Sequence, residues 1–498
     1  MARPEPTLWY PVLGGQNDQH IETLRQDPEL LELDVASNVV PDPLGAVATR
    51  DGFSHVRASA ISGTPAITGM SHKLRDVADK LILTGSDGKA YEDSANPPTA
   101  KAGGTDFSTG ADNLTRFDVH EQMLVMVSRL RDLPQTINSS GTKADLGGTP
   151  PRGLDYRVFG RRGFMFAPIY SSTTYPERIS FNSANDDHDA WANPVTTNFL
   201  NLGRPGSGVQ VVGGEVHADH LMAYTSDKVF PIYTTPNATL PFAFRKEVFS
   251  EEGGGPVGAH ALVSAADSVF WISQNFDVKQ QTGFAVKSVG YPIQPFLRGL
   301  SNSRRAFIVG GWEPKYRMVV WQVSDGSDTQ HKDMIGLQVD TGQFFFFTLQ
   351  CNALANRVVS GELRLIGGHY HGLFSNLFDG STAGDLQTAA TAINASLRTP
   401  RLHLGKPFTR KKVPYAVLQF DPIATETVTL DTYYDDSTSA DETTTVALSG
   451  TDLGYVTVEL TRPFQHVQFA VSDANSGERF RLMRVGFPAP LITYAQRT

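Results

Sequence analysis

The sequence predicts an all-β protein: a β-propeller of six or seven blades, followed by a C-terminal antiparallel β-sandwich and preceded by an extended N-terminal arm. Three observations lead there. Apolar strand starts recur at Leu81, Met123, Phe164, Leu221, Val269, Met318 and Leu363, spaced 42, 41, 57, 48, 49 and 45 residues apart. That period fits one four-stranded blade with loops of varying size. The 45 Gly and 30 Pro are spread along 498 residues of which only 19% are charged, which indicates many short elements and many turns. Finally, residues 316–347 (YRMVVWQVSDGSDTQHKDMIGLQVDTGQFFFF) read as three antiparallel strands. An apolar run at Met318–Trp321, a polar tip, a second strand through Val339, an Asp340-Thr341-Gly342 turn and the block Phe344–Phe347 leave no room for a helix.

Residues 1–50 read as the arm. Pro4, Pro6 and Pro11 keep its start extended, with Leu8-Trp9-Tyr10 as an exposed aromatic anchor. Gln19–Leu33 carries a moderately helical pattern broken at Pro28. Such an arm is expected to dock on its own body or on a neighbouring subunit.

Residues 51–401 form the propeller-like domain with long loop insertions. Its hairpins share a grammar without consensus letters: Leu81–Thr84 before a Gly-Ser-Asp-Gly turn, Leu221–Tyr224 before Thr225–Lys228, and Val269–Ile272 before Ser273–Asn275. Inner blade strands are buried on both faces and should be almost continuously apolar, as Leu81–Leu83 and Met318–Trp321 are. The polar stretches 92–115 and 180–207 read as surface loops. Gly380–Arg398, alanine-rich and bounded by Gly380 and Pro400, predicts a helix.

Residues 402–498 form the sandwich. Six largely alternating strands are expected at Tyr415–Phe420, Thr427–Tyr434, Thr443–Leu448, Tyr455–Leu460, Phe464–Val471 and Phe480–Val485, with a loose tail from Pro488.

Forty-three basic residues against 52 acidic give a net charge of −9, with no basic run longer than Arg410-Lys411-Lys412. That argues against electrostatic nucleic-acid binding. The single cysteine, Cys351, excludes an intrachain disulfide framework and an all-cysteine zinc site, and is expected as a small buried hydrophobe. No stretch has the apolar core of a signal peptide or the ~18 apolar residues of a membrane span, so synthesis in a cytoplasm is expected.

Candidate chemistry is sparse. His369-Tyr370-His371, and His217 with His220 beside Glu215 and Asp219, match no ligand spacing and read as polar surface or turn histidines. The carboxylate pairs Asp186-Asp187, Glu251-Glu252 and Asp435-Asp436 sit in or beside polar turns, where solvated acids belong. No nucleophile elbow or phosphate loop is present. Gly253–Gly255, Gly310-Gly311 and Gly367-Gly368 read as sharp corners, and Phe344–Phe347 as core. The sequence therefore singles out no catalytic, cofactor-binding or metal-ligating residue, and the chain is not expected to be an enzyme.

Over about residues 40–490 the chain resembles the tail hub or nozzle proteins of short-tailed bacteriophages, β-propeller proteins of the packaged-DNA stabilisation type. The resemblance rests on the Arg-Asp-Gly-Phe entry at Arg50–Phe53 followed by Lys80–Tyr91, and on Ser268–Ser273 with the later strands of Arg305–Phe345, ending Asp-x-x-Gln-Phe-Phe. It rests also on the Arg479-Phe480-Arg481 strand of the terminal sandwich. It implies a virion structural protein, synthesised in the bacterial host cytoplasm. Such a protein forms a homo-oligomeric ring, typically a hexamer, next to the adaptor and portal-side tail proteins at the head-tail connector. It continues the channel for double-stranded DNA without reading sequence, retains the genome until DNA ejection and supports fibres or spikes. Two other classes fit the same residues less well: a carbohydrate-active or glycan-binding propeller, and a cellular propeller acting as a protein-interaction scaffold.

Overall fold

The computed structural model describes residues 6–12, 33–42, 46–72, 81–191, 197–204, 206–326, 328–379, 385–386, 390–404, 409–421, 426–448, 454–473, 479–488 and 492–494. Strands dominate, and helical turns such as Tyr291–Ile293 and Gln294–Arg298 are short. The chain divides into two compact units. One gathers Met1–Ser54, Ile335–Thr348 and Phe378–Thr498; the other gathers His55–Met334 and Leu349–Leu377. This partition differs from the expected one at 50/51 and 401/402, because the smaller unit is assembled from three separate stretches of chain.

In the larger unit, small antiparallel sheets follow one another along the sequence. The first contains Ile67–Ser71, Ile82–Gly85, Ala90–Glu92 and Thr99–Ala100. The second contains Thr115–His120, Met123–Ser128, Gln135–Asn138 and Lys143–Asp145. The third contains Asp155–Phe159, Arg162–Phe166, Arg178–Phe181 and Phe199–Asn201. The fourth begins Val211–His217, His220–Thr225 and Lys228–Thr234, and the fifth Val263–Ala265, Ser268–Ile272 and Val278–Thr282. The sixth begins Val309–Glu313 and Met318–Val323, and the seventh Ala353–Val359, Glu362–Gly368 and Phe374–Asn376. Each of the seven periodic strand starts falls in the second strand of a different sheet, Leu81 one residue ahead of it. Met318–Val323 and Ser268–Ile272 are buried at every position, as strands covered on both faces should be.

The first two strands of several sheets are joined by two residues that both have positive φ: Gly160-Arg161, Ala218-Asp219, Ala266-Asp267 and Ser360-Gly361. These are the dihedrals of the primed turns whose twist matches that of a hairpin.

Neighbouring sheets pack face to face through apolar clusters. Ile82, Phe117 and Leu124 join the first sheet to the second, and Phe166, Phe181 and Leu221 join the third to the fourth. Ile67, Leu83, Ala353 and Ile366 join the seventh back to the first, so the succession closes on itself. The start of the unit completes the seventh sheet: the Val56 N–H donates to the Phe374 carbonyl at 3.0 Å. Glycines permit this close approach. A Cβ on Gly214 would lie 2.2 Å from Phe166, and one on Gly311 2.8 Å from Leu365. Gly310-Gly311 and Gly367-Gly368 thus lie inside strands and make room for adjacent sheets. They are not the corners the sequence suggested, whereas Gly253, at φ +65°, does sit at a turn.

The smaller unit holds two main groups of paired strands, besides the short pairs Asp385–Leu386 with Ala390–Thr391 and Arg410–Lys412 with Ile492–Tyr494. One runs Val39–Asp42, Ala46–Thr49, Arg481–Pro488, Tyr415–Phe420, Gly454–Glu459, with Pro6–Pro11 added along Arg481–Pro488. The other contains Phe344–Phe347, Val35–Ser37, Ala395–Arg398, Val467–Asp473, Glu426–Tyr434 and Glu442–Leu448. Phe469 and Phe487 bring the two together, ring centroids 6.3 Å apart. The strands expected after residue 402 are present with boundaries shifted by a few residues.

Four expectations need correction. The arm's aromatic segment is no exposed anchor: Pro6–Pro11 is a strand, Tyr10 is buried against Phe487, and Arg484 lies 4.0 Å over the Trp9 ring. Gly380–Arg398 contains the strands Asp385–Leu386, Ala390–Thr391 and Ala395–Arg398 in place of a helix. Pairing of Ala395–Arg398 with Val35–Ser37 and Val467–Asp473 overrides the helix propensity of the alanines. The stretch 92–115 includes the strand Thr99–Ala100 and buried Phe107, and 180–207 includes the strand Phe199–Asn201 and buried Trp191. Neither is a simple surface loop. The helical pattern of Gln19–Leu33 lies outside the described residues except for Leu33. Cys351 is buried, as expected.

Candidate functional site: a polar cavity lined by all seven first strands

A cavity of about 860 Å³ is lined from the first strand of each of the seven successive sheets: Met70, Arg116, Arg157, Glu215, Val263, Gly310 and Leu354 represent them in order. Consecutive residues such as Thr68–His72 and Val309–Trp312 line it, so these strands border the space along their length. His260, from the short turn Ala259–Ala261, also lines it.

Four charged residues form a chain across three consecutive first strands. Arg116 Nε donates to Asp155 Oδ1 at 3.2 Å, and Arg157 Nη1 lies 3.3 Å from the same oxygen. Arg157 Nη2 donates to Glu215 Oε2 at 3.2 Å, and Arg116 Nη2 lies 3.6 Å from it. The backbone joins in: the Gly214 N–H donates to Asp155 Oδ2 at 3.0 Å, and Arg157 Nε donates to the Gly214 carbonyl at 3.0 Å. Second, third and fourth sheets are thereby stitched at the cavity wall.

Asp155 is fully buried. Loss of water pushes its carboxyl up to about 6 despite the opposing pull of Arg116 and the Gly214 N–H, while Glu215 adds a smaller upward push. Burial, reinforced by the charges of Arg116 and Arg129, holds His260 well below the usual imidazole range, so it is neutral. A carboxyl raised on folding takes up a proton in the native state that it lacks when unfolded. Its charge therefore costs stability above about pH 6, and that cost fades as pH falls through 6 toward the ordinary value of 3.8. At ~1.4 kcal/mol per pH unit the swing is about 3 kcal/mol. Urea denaturation between pH 4.5 and 7.5 is expected to show Asp155→Asn lacking this part of the wild-type slope. Parallel slopes for the two proteins would refute the assignment.

The smaller unit has its own buried polar frame, built on Arg50–Phe53 and Arg479–Arg481. Arg50 donates from Nη1 to Asp385 Oδ1 at 2.8 Å and from Nη2 to Asp385 Oδ2, while its Nε donates to Asn38 Oδ1 at 3.0 Å. Arg479 Nη1 donates to Asp51 Oδ1 at 2.7 Å, Phe480 and Thr49 exchange hydrogen bonds, and Arg481 Nε pairs with Asp42 at 3.0 Å.

The histidines singled out by sequence do not converge. His217 and His220 face each other across the Ala218-Asp219 turn; His217 Nε2 accepts the Gly283 N–H, and His220 bonds the Ala218 carbonyl. His369 uses both ring nitrogens, on the Gln350 carbonyl and the Ser375 hydroxyl. Among the described residues, no group of three His, Cys, Asp or Glu is placed to hold a metal ion. The carboxylate pairs engage cations: Asp186 with Arg161, Glu251 with Lys279, Asp435 with Arg410 and Asp436 with Arg401. The cavity cluster was not singled out. Its signal is charge in three successive first strands: Arg116 and Asp118, Asp155 and Arg157, and Glu215.

No family model matches the chain, and no curated protein does. Similar solved structures include the computationally designed Ika8 protein, at 10% identity and TM-score 0.36, covering 65% of this chain and 100% of that one. They also include BamB from Moraxella catarrhalis, at 12% identity and TM-score 0.37, covering 74% of this chain and 98% of that one. At these values neither assigns a fold or a function. Among the described residues no helix is long and apolar enough to cross a membrane.

Proposed function

We propose that this chain is a structural protein of a short-tailed bacteriophage tail, a hub or nozzle that extends the DNA channel, retains the packaged genome and supports fibres or spikes. In this reading the larger unit is a seven-bladed propeller closed by Val56 on the seventh sheet, and the smaller unit is a two-sheet sandwich. The observation that carries it is the fastening of Arg50–Phe53 to Arg479–Arg481, two of the stretches on which the resemblance rests. With Pro6–Pro11 lying along Arg481–Pro488, segments near both ends of the sequence are tied into one sheet. A conduit under internal pressure needs that kind of anchorage.

The charge balance agrees. A net charge of −9 suits a wall past which DNA must slide, since each neutralised phosphate would add salt-dependent affinity. Pairing of the cavity's arginines with acids also suits a scaffold more than a phosphate-binding surface. Negative-stain imaging of the purified protein, alone and added to particles lacking it, tests the proposal. Annular oligomers, six copies to a ring, or density at the tail tip are expected. Dispersed monomers that never join particles would overturn it.

A further inference from the structure

We propose that the cavity shared by the seven first strands binds a neutral saccharide of one or two rings. This goes beyond the hub assignment and does not depend on it. The volume, about 860 Å³, lies within the range of small-ligand sites.

Two polar atoms of the cavity residues, Thr115 Oγ1 and His260 Nε2, are buried without a hydrogen-bond partner, and Arg116 Nη2 makes no hydrogen bond beyond its 3.6 Å ion pair with Glu215. Thr115 is 4% exposed and His260 8%. Buried polar groups are ordinarily satisfied, so two orphans beside an under-bonded guanidinium mark the place of a missing partner. Their chemistry describes that partner. The guanidinium donates only, while the hydroxyl and the neutral imidazole can each donate or accept. A ligand rich in hydroxyl groups meets both demands.

Charge points the same way. Arg116 and Arg157 are balanced by Asp155 and Glu215, so an anion would face two carboxylates and a cation two guanidiniums. A neutral ligand avoids both penalties. The remaining wall mixes polar residues such as Ser71 and Asn356 with apolar and aromatic ones, Met70, Phe117 and Trp312 among them. Asn356 Nδ2 donates to the Trp312 carbonyl at 2.7 Å and fixes that residue's backbone. Aromatic and aliphatic surface of this kind suits the C–H faces of a sugar ring.

The test uses the purified full chain at pH 7.5. Saturation-transfer NMR and calorimetry are run with glucose, galactose, mannose, N-acetylglucosamine and their common disaccharides at millimolar concentration, and with inorganic phosphate and sulfate in parallel. At least one saccharide is expected to bind. Thr115→Val, which keeps the side-chain shape, and Trp312→Ala, at a half-buried position, are each expected to weaken binding about tenfold or more with the fold retained by circular dichroism. Tyr455→Ser, on an exposed strand of the smaller unit, should leave binding unchanged. Absence of saccharide binding, binding indifferent to both cavity variants, or binding of phosphate or sulfate instead would each overturn the proposal.

Discussion

Replacing Arg50 with alanine is expected to destabilise the smaller unit by about 3–5 kcal/mol, the cost of stranding one member of a buried ion pair. Arg50 is 1% exposed, and its guanidinium holds both oxygens of Asp385. Without it the Asp385 carboxylate stays buried and loses its counter-charge. Asn38 is less affected, because its Oδ1 still accepts the Thr348 N–H at 3.0 Å and its amide still donates to Thr348 and Asn394. Lysine at position 50 cannot reproduce the two-pronged geometry and should recover only part of the loss. The double variant Arg50→Met with Asp385→Leu should recover most of it, since it removes both charges and keeps apolar volume. Chemical denaturation followed by hydrogen exchange in the two units separates these outcomes. A loss below about 1 kcal/mol for Arg50→Ala would mean that the pair fastens nothing.

Much of this architecture was legible because burial on two faces leaves a strong mark. Second strands such as Met318–Val323 and Ser268–Ile272 have no solvent side, so apolar runs at a steady period located all seven sheets. The Asp340-Thr341-Gly342 turn was equally plain; Gly342 takes φ +74° and its N–H reaches the Gln338 carbonyl at 2.9 Å. What failed was whatever depends on pairing across long separations. Ala395–Arg398 lies between Val35–Ser37 and Val467–Asp473, and nothing within Gly380–Arg398 encodes those partners. The arm docks on its own chain as expected, but the burial of its aromatic segment is not legible for the same reason, since its partner strand Arg481–Pro488 lies far away in the sequence.

The cavity cluster was hidden differently. Asp155 sits among Tyr156, Arg157 and Val158, a local sequence that looks half-solvated. Its burial comes from Gly214 of the next sheet, whose missing side chain lets the backbone N–H reach Asp155 Oδ2; a Cβ there would strike Phe166. A carboxylate that needs a glycine 59 residues away in order to be buried leaves no local trace. The one available clue is charge in each of three successive first strands, mixed at Arg116 and Asp118, mixed again at Asp155 and Arg157, and negative at Glu215.

The second large effect is expected at Trp321, where alanine should cost the larger unit about 3–5 kcal/mol. Trp321 and Trp271 are both fully buried, and each is the fourth residue of its second strand, in Met318–Val323 and Ser268–Ile272. Each indole N–H also leaves its sheet: Trp321 donates to the Ala261 carbonyl and Trp271 to the Gly254 carbonyl, both at 2.9 Å. The bulk of the Trp321 ring is accommodated by Gly310, where a Cβ would come within 3.0 Å of the indole. Phenylalanine at position 321 should keep most of the packing but strand the Ala261 carbonyl, for a loss of about 1–3 kcal/mol. The two variants thus separate packing from hydrogen bonding at one site. They also test how the sheets depend on one another. If the succession is closed, with the seventh sheet packed on the first, a cavity in the sixth has no free end toward which the sheets could open. Trp321→Ala should then lower protection from hydrogen exchange as far away as Leu124–Val127 in the second sheet, in one cooperative transition. Loss confined to residues near 321 would instead describe a row of independent sheets, and closure would contribute nothing to stability.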